Sequence, residues 1–160
     1  MTTLAITGHM DLTDTTVPLV RTALDDLLAA HASDSLTGVS CLARGADSVF
    51  AEAVLAAGGR LVAVIPSQDY RQVKVKPDHA ALFDRLVAAA TEVLVLDRAT
   101  ASHEAYEAAN HVLITRADRL VAVWDGTPPS GKGGTADTVT LARDAGLPVD
   151  VVWPEGAIRG

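Results

Sequence analysis

The stretch GVSCLARGADSVFAEAVLAAGGRLVAVI, residues 38–65, decides the fold of this chain. Two short apolar runs, at 38–42 and 61–65, flank a longer amphipathic run at 46–57 that two glycines end. The run at 61–65 contains no polar residue, which is typical of a strand that helices cover on both faces. A strand, a helix and a second strand in this order predict a parallel pair of strands joined by a right-handed crossover.

The same alternation of short apolar and longer amphipathic runs continues through the rest of the chain. Further strands are predicted at 4–7, 93–96, 120–124 and 149–153. Further helices are predicted after Asp14 and Thr15 and at 79–91, 102–115 and 135–145, with a loop at 66–77 and a frayed end at 155–160. The predicted fold class is therefore α/β, a Rossmann-like three-layer sandwich with a mostly parallel sheet of about six strands, in a single domain spanning 1–160.

Composition and charge limit the classes of function. The chain has 13 basic and 20 acidic residues, a net charge of −7 and 4% aromatic residues. Nucleic-acid backbones are bound mainly by Lys and Arg, and single strands by stacked aromatic rings, so we expect no nucleic-acid partner. The single cysteine, Cys41, excludes an internal disulfide and favours a reducing, cytoplasmic location. Because no run approaches the ~18 apolar residues of a membrane span, no membrane partner is expected.

The candidate site lies in the segments that follow the strands, because ligands of such sheets bind outside the carboxyl ends of the strands. The candidates are Thr7, Gly8 and His9 after the first strand, Arg44 and Gly45 after the second, Tyr106 and Asn110 on the helix at 102–115, and Asp125, Lys132, Gly133, Gly134 and Thr135 after the fifth strand. Glycines that lead into a helix let backbone N–H groups approach an anion, so the turn at 131–135 is predicted to bind phosphate. Three alternatives remain open: the glycines only shape the loop, His9 only stabilises its own loop, or Arg44 pairs with Asp47 or is solvated.

Two nucleotide-binding fingerprints are nearly matched in the same loop. Residues 126–132 have the spacing G-x-x-x-x-G-K, but Gly133 stands where a P-loop needs Ser or Thr for magnesium. The pattern G-x-G-x-x-A at 131–136 fits a relaxed dinucleotide fingerprint, but it follows the fifth strand rather than the first. Two histidines and a glutamate on the helix at 102–115 recur every four residues without forming H-E-x-x-H. Neither a metal site nor a cofactor is therefore predicted.

Three of these segments, taken together, resemble a known superfamily. They are Ile6-Thr7-Gly8-His9-x-Asp11-Leu12, then Leu42-Ala43-Arg44-Gly45-Ala46-Asp47, then Gly133-Gly134-Thr135-Ala136. In this order they resemble the SLOG superfamily, a Rossmann-like group that includes the lonely-guy phosphoribohydrolases and the DNA-processing protein Smf. The resemblance spans about residues 4–153. It implies binding of a nucleotide or nucleotide-derived small molecule, with the phosphate on the turn at 133–135.

Three classes of function remain open, and one of them is a plain interaction scaffold whose site is vestigial. The lonely-guy enzymes have a glutamate three residues after the threonine of this turn, whereas Thr138 stands there in this chain. The leading interpretation is therefore a domain that binds or senses a nucleotide-like ligand, and we expect a homodimer because the helices are rich in Ala and Leu. The alternative is an enzyme that cleaves or exchanges an N-glycosidic bond, of phosphoribohydrolase or nucleoside deoxyribosyltransferase type, with Asp137, Glu104 or Glu107 as its carboxylate.

Overall fold

The computed structural model describes residues 1–31, 35–128 and 134–160. Within these ranges, the strands are β1 (Thr2–Gly8), β2 (Leu36–Ser40), β3 (Arg60–Ile65), β4 (Glu92–Val95), β5 (Arg119–Val123) and β6 (Val149–Val152). The helices in the same ranges are α1 (Thr16–Ala29), α2 (Ala46–Ala56), α3 (Tyr70–Lys74), α4 (Pro77–Ala89), α5 (His103–Arg116) and α6 (Thr135–Asp144). All the predicted strands and helices are present there, and their ends shift by at most two residues.

The strands described form one parallel sheet in the order β4-β3-β2-β1-β5-β6. Each neighbouring pair of strands is parallel, which confirms the predicted α/β, Rossmann-like fold class. From β1 the chain proceeds outward through β2, β3 and β4, and then returns to place β5 on the other side of β1. This reversal opens a crevice at the carboxyl ends of β1 and β5, where such sheets bind their ligands.

Helices cover both faces of the sheet, because side chains alternate between the faces along each strand. Leu4 and Ile6 of β1 pack with α1 and α2 on one face, whereas Ala5 packs with α5 and α6 on the other. The result is the predicted three-layer sandwich. In the part of the chain that the structure describes, no helix is long and apolar enough to cross a membrane.

The end of β2 bends away from the sheet earlier than predicted. β2 ends at Ser40, and Leu42 has a φ of 58°, a left-handed conformation that leucine rarely adopts. The hydroxyl of Ser40 accepts a hydrogen bond from the Leu42 N–H at 3.0 Å, and His79 Nε2 donates to the Leu42 carbonyl at 3.1 Å. These contacts hold the strained turn and direct the segment after β2 toward the crevice.

The segment at 66–77 is not the continuous loop that was predicted, because it contains the short helix α3. Tyr70 of this helix is buried, and its ring lies 6.0 Å from that of Phe83 on α4. Arg71 donates two hydrogen bonds, of 2.8 and 2.9 Å, to the carboxylate of Asp84. A helix of five residues is too short to show a hydrophobic period, so tertiary contacts rather than the local pattern determine it.

The segment at 155–160 is also ordered by contacts rather than frayed. The N–H of Ile158 donates to the hydroxyl of Thr16 at 2.9 Å, and this hydroxyl donates to the Ile158 carbonyl at 3.0 Å. Arg159 Nε donates to the carboxylate of Asp11 at 2.9 Å. These bonds fix the tail across the turn that follows β1, beside the crevice.

Candidate functional site

A cleft of about 580 Å³ lies at the carboxyl ends of β1, β2, β3 and β5. Of the predicted site residues, seven that the structure describes line this cleft: Thr7, Gly8, His9, Tyr106, Asn110, Gly134 and Thr135. A smaller cavity of about 310 Å³ lies at the opposite end of the sheet, where Arg60 begins β3. We take the larger cleft as the candidate site because it lies at the topological switch point of the sheet.

Two of the predicted glycines are required by close packing of the backbone. A Cβ atom at Gly8 would lie 2.4 Å from the Cβ of Ala46 and 2.8 Å from the Cβ of Val123. At Gly45, where φ is 82°, a Cβ atom would lie 2.6 Å from the carbonyl oxygen of His9. The glycines allow the first turn of α2 to pack directly against the turn after β1, and Gly45 itself lies outside the cleft lining.

His9 is held at the end of β1 by Asp125. The imidazole is 6% exposed, and its Nε2 atom lies 3.1 Å from Oδ1 of Asp125. Its ring also makes an edge-to-face contact with Trp153, with 5.6 Å between ring centroids. His9 lines the cleft and is also held by Asp125, so its contact with a ligand stays a prediction beside its role in stabilising the loop.

Asp125 supports the cleft without lining it. Its Oδ1 accepts hydrogen bonds from the Thr127 hydroxyl at 2.7 Å and from the Thr127 N–H at 3.0 Å. Burial raises the pKa of Asp125, but the hydrogen bonds from Thr127 and His9 outweigh burial and lower the pKa to about 2. Asp125 is therefore ionised at neutral pH and orients His9.

The structure places Arg44 outside the cleft lining. Its guanidinium group pairs with the carboxylate of Asp78 at the start of α4, rather than with Asp47, and its side chain is half-exposed. Lys132 and Gly133 lie outside the described residues. Arg44, Lys132 and Gly133 therefore stay predictions as ligand contacts.

The first turn of α6 opens into the cleft. Gly134 precedes the helix in extended conformation, and its carbonyl accepts hydrogen bonds from the N–H and the hydroxyl of Thr138, both at 3.2 Å. The first N–H groups of a helix have no partner within it, and together they carry about half a positive charge. Apart from its chain neighbours, no described residue has an atom within 4 Å of a Cβ placed on Gly134, so the described surroundings leave room for an anion.

The most notable residue missed at the sequence level is Asp47. It lines the cleft and is 9% exposed. Burial raises its pKa to about 7, although a hydrogen bond from the Ala43 N–H opposes the shift. Asp47 belongs to the segment 42–47 that carries the resemblance, but its burial was not predicted, because an aspartate in the first turn of a helix is usually a solvated partner of the helix dipole.

Two cations that line the cleft were also missed, Lys74 and Arg159. Lys74 ends α3, in the segment predicted to be a loop, and Arg159 belongs to the tail predicted to fray. Both positions depend on tertiary contacts. The sequence signal for Lys74 was the cluster of basic residues at 71–76, and Arg159 had none.

The carboxylates proposed for the enzymatic alternative do not line the cleft. Glu104 is 81% exposed and lies 3.6 Å from Arg98, and Glu107 is also exposed. Asp137 follows the first residues of α6 but does not contribute to the lining either. Among the described residues, the carboxylates that line the cleft are Asp11 and Asp47, and no group of three or more His, Cys, Asp or Glu could hold a metal ion.

Comparisons with known proteins agree on the fold. No protein-family model and no curated protein matches the chain. DNA processing protein A from Streptococcus pneumoniae superposes with a TM-score of 0.68 at 17% identity, over 98% of this chain and 52% of that protein. DNA processing protein A from Helicobacter pylori gives a TM-score of 0.69 at 18% identity, over 97% of this chain and 66% of that protein. The molybdenum cofactor carrier protein from Chlamydomonas reinhardtii gives 0.59 at 18% identity, over 94% and 75%.

The chain is thus an α/β protein with a Rossmann-like fold. The DNA processing proteins and the cofactor carrier share this fold, which confirms the fold that the resemblance implied. The chain spans about half of the length of the S. pneumoniae protein that it matches.

One sequence-based expectation is corrected by these comparisons. We expected no nucleic-acid partner because the net charge is −7, but DNA processing protein A from H. pylori has the same fold and binds single-stranded DNA. Net charge describes the whole chain, whereas the phosphates of a nucleic-acid backbone respond to the electrostatic field at the surface that binds them. In this chain, Lys74, Arg159 and the positive end of α6 all face one cleft, so the exclusion does not hold.

Proposed function

We propose that the chain binds a nucleotide or a nucleotide-derived small molecule in the cleft. The observation that carries this proposal is that the open first turn of α6 shares one cleft with Tyr106 and Asn110 of α5. The cleft thereby combines a site for an anion with a polar and aromatic surface large enough for a nucleoside. Both lie at the switch point of the sheet.

The phosphate is assigned to the turn formed by Gly134 and Thr135. A helix N-terminus attracts an anion through its free N–H groups and its dipole. Lys74 and Arg159, which line the same cleft, add full positive charges, although Asp11 partly neutralises Arg159. The combination favours a ligand with at least one phosphate group.

The nucleoside is assigned to the surface of α5. The ring of Tyr106 stands nearly perpendicular to that of Tyr70, with 6.4 Å between centroids, which fixes its orientation. A fixed aromatic ring offers a stacking surface for a base, and the amide of Asn110 offers both a donor and an acceptor.

Calorimetric titration with AMP, ADP-ribose and NAD tests the proposal. The Gly134→Val variant should weaken the binding of AMP at least about tenfold, because the side chain fills the space of the phosphate. Its fold should persist, since φ at Gly134 is −81° and, apart from its chain neighbours, no described residue has an atom within 4 Å of the added Cβ. Ala99→Val, which adds similar bulk at an exposed position outside the cleft, is the matched control. If Gly134→Val binds AMP as tightly as the parent, the phosphate assignment is wrong.

The proposal extends to the setting in which the ligand is bound. We infer a sensing role in the cytoplasm, and we also infer a homodimer. Exposed valines on the edge strands support the homodimer: Val93 and Val95 on β4 and Val151 on β6. Light scattering at several protein concentrations tests the dimer, and a monomer mass throughout would refute it.

Single-stranded DNA is a second candidate ligand, favoured by the fold shared with the H. pylori protein that binds it. Fluorescence anisotropy with labelled oligothymidine tests it. If DNA binds at this cleft, AMP should compete, and affinity should fall steeply with salt. Binding that AMP leaves unchanged would place the DNA elsewhere.

A further inference from the structure

Asp47 is a buried carboxyl group of the cleft to which the proposed function assigns no role. It lies in the first turn of α2, is 9% exposed and lines the cleft. Among the described residues, its carboxyl group accepts one hydrogen bond, from the N–H of Ala43 at 3.4 Å. Buried carboxylates are normally satisfied by several hydrogen bonds or by a cation. Because no fully buried side-chain oxygen of the described residues lacks a hydrogen-bond partner, the second carboxyl oxygen of Asp47 is accessible from the cleft that the residue lines.

The groups around Asp47 do not neutralise its charge. Cys41 and Tyr70 lie close to it, and burial, followed by the charge of Asp47, raises the pKa of both. The basic groups of the cleft are His9 after β1, Lys74 on α3, His103 on α5 and Arg159 in the tail. Within the described parts of the chain, none of them forms an ion pair with Asp47.

The position of Asp47 in the sheet suits a contact with the nucleoside. Asp47 follows β2 and Gly134 follows β5, and these strands lie on either side of β1. Neighbouring strands are about 4.8 Å apart, so the ends of β2 and β5 are separated by roughly 10 Å. A mononucleotide with its phosphate on α6 would cross the end of β1 and bring its sugar or base toward Asp47.

We propose that Asp47 determines the specificity of the cleft by accepting a hydrogen bond from an N–H or O–H group of the bound nucleoside. This inference rests on the proposed function. Only the ionised carboxylate can accept from the ligand with both oxygens, so binding favours loss of the Asp47 proton to solvent. The affinity of the cleft should therefore increase with pH through the range in which Asp47 ionises.

Calorimetry of AMP with the parent and with Asp47→Asn, at pH 6 and at pH 8, tests the inference. With the pKa of Asp47 at about 7, the ionised fraction increases about tenfold between these pH values. The affinity of the parent should increase about tenfold more than that of the variant. The comparison cancels the titration of the AMP phosphate, because the parent and the variant bind the same ligand. Asp97→Asn, at an exposed position outside the cleft, is the control and should behave as the parent.

The possible outcomes separate this inference from the proposed function. If the parent binds AMP and Asp47→Asn shows the same pH dependence, the inference is refuted and the proposed function stands. If AMP, ADP-ribose and NAD all fail to bind the parent at pH 8, both are refuted. If the inference holds, two analogues identify the ligand group that donates to Asp47. Ribose 5-phosphate has the ribose hydroxyls but no base, whereas 2′,3′-dideoxyadenosine monophosphate has the base but neither of those hydroxyls. The analogue whose affinity retains the Asp47-dependent increase with pH carries the donor.

Discussion

Replacement of Asp47 by asparagine should change how the stability of the protein depends on pH. Burial raises the pKa of Asp47 from 3.8 to about 7 in the folded state. Between these values the folded protein retains a proton that the unfolded chain has lost, so stability decreases as pH increases through this window. Each pKa unit corresponds to about 1.4 kcal/mol. Protonation of Asp47 therefore contributes at most about 4 kcal/mol to the free energy of unfolding. Roughly 3 kcal/mol of this contribution is lost between pH 5 and pH 8.

Urea denaturation of the parent, Asp47→Asn and Asp97→Asn at pH 5 and pH 8 measures this effect. Asparagine has nearly the same shape but does not titrate, so the free energy of unfolding of the parent, relative to this variant, should fall by about 3 kcal/mol between the two pH values. Any pH-independent cost of the substitution cancels in this comparison. Asp97→Asn should follow the parent at both pH values. A constant difference between the parent and Asp47→Asn would show that the carboxyl group is solvated, and would refute the burial argument.

Three further substitutions test the framework of the cleft. Gly8→Ala should reduce the free energy of unfolding by about 1–3 kcal/mol, because its Cβ would lie 2.4 Å from that of Ala46; an unchanged urea midpoint would contradict this packing. Asp125→Asn should destabilise the protein at pH 7 by at most about 2 kcal/mol, and the difference should vanish as pH falls through 2, as acid titration of the circular dichroism signal would show. Thr16→Val leaves the Ile158 N–H without its acceptor, so hydrogen exchange at Ile158 should accelerate; unchanged exchange would mean that the tail is held elsewhere.

The fold could be predicted because its signals are local. The uninterrupted apolar run that became β3 and the glycines that end α2 are visible in the sequence itself. Ser102 is the first residue of the helix predicted at 102–115, and its hydroxyl caps α5 by accepting a hydrogen bond from the Ala105 N–H at 3.2 Å. Periodicity and capping are properties of neighbouring residues, so they can be recognised without knowledge of the tertiary structure.

Part of the lining of the candidate cleft could be predicted, at the strand ends and on α5. Thr7 and Gly134 follow directly from the rule that ligands bind at the carboxyl ends of strands. Arg44 also follows a strand, but Asp78, distant in sequence, pairs with its guanidinium group, and no local pattern indicates such a partner. Asp47 and Arg159 were missed for the same reason, since the burial of Asp47 and the docking of the tail depend on long-range contacts.

Because residues 155–160 are docked beside the cleft, a label attached to this segment can report on the cleft. The N–H of Gly160 donates to the carbonyl of Asp11, and Asp11 itself lines the cleft. A fluorophore or a reporter domain attached after residue 160 would therefore emerge beside the cleft mouth and respond to what occupies it. A purification tag belongs before Met1 instead, because β1 runs from Thr2 to Gly8 and separates that end from the cleft by the full height of the sheet.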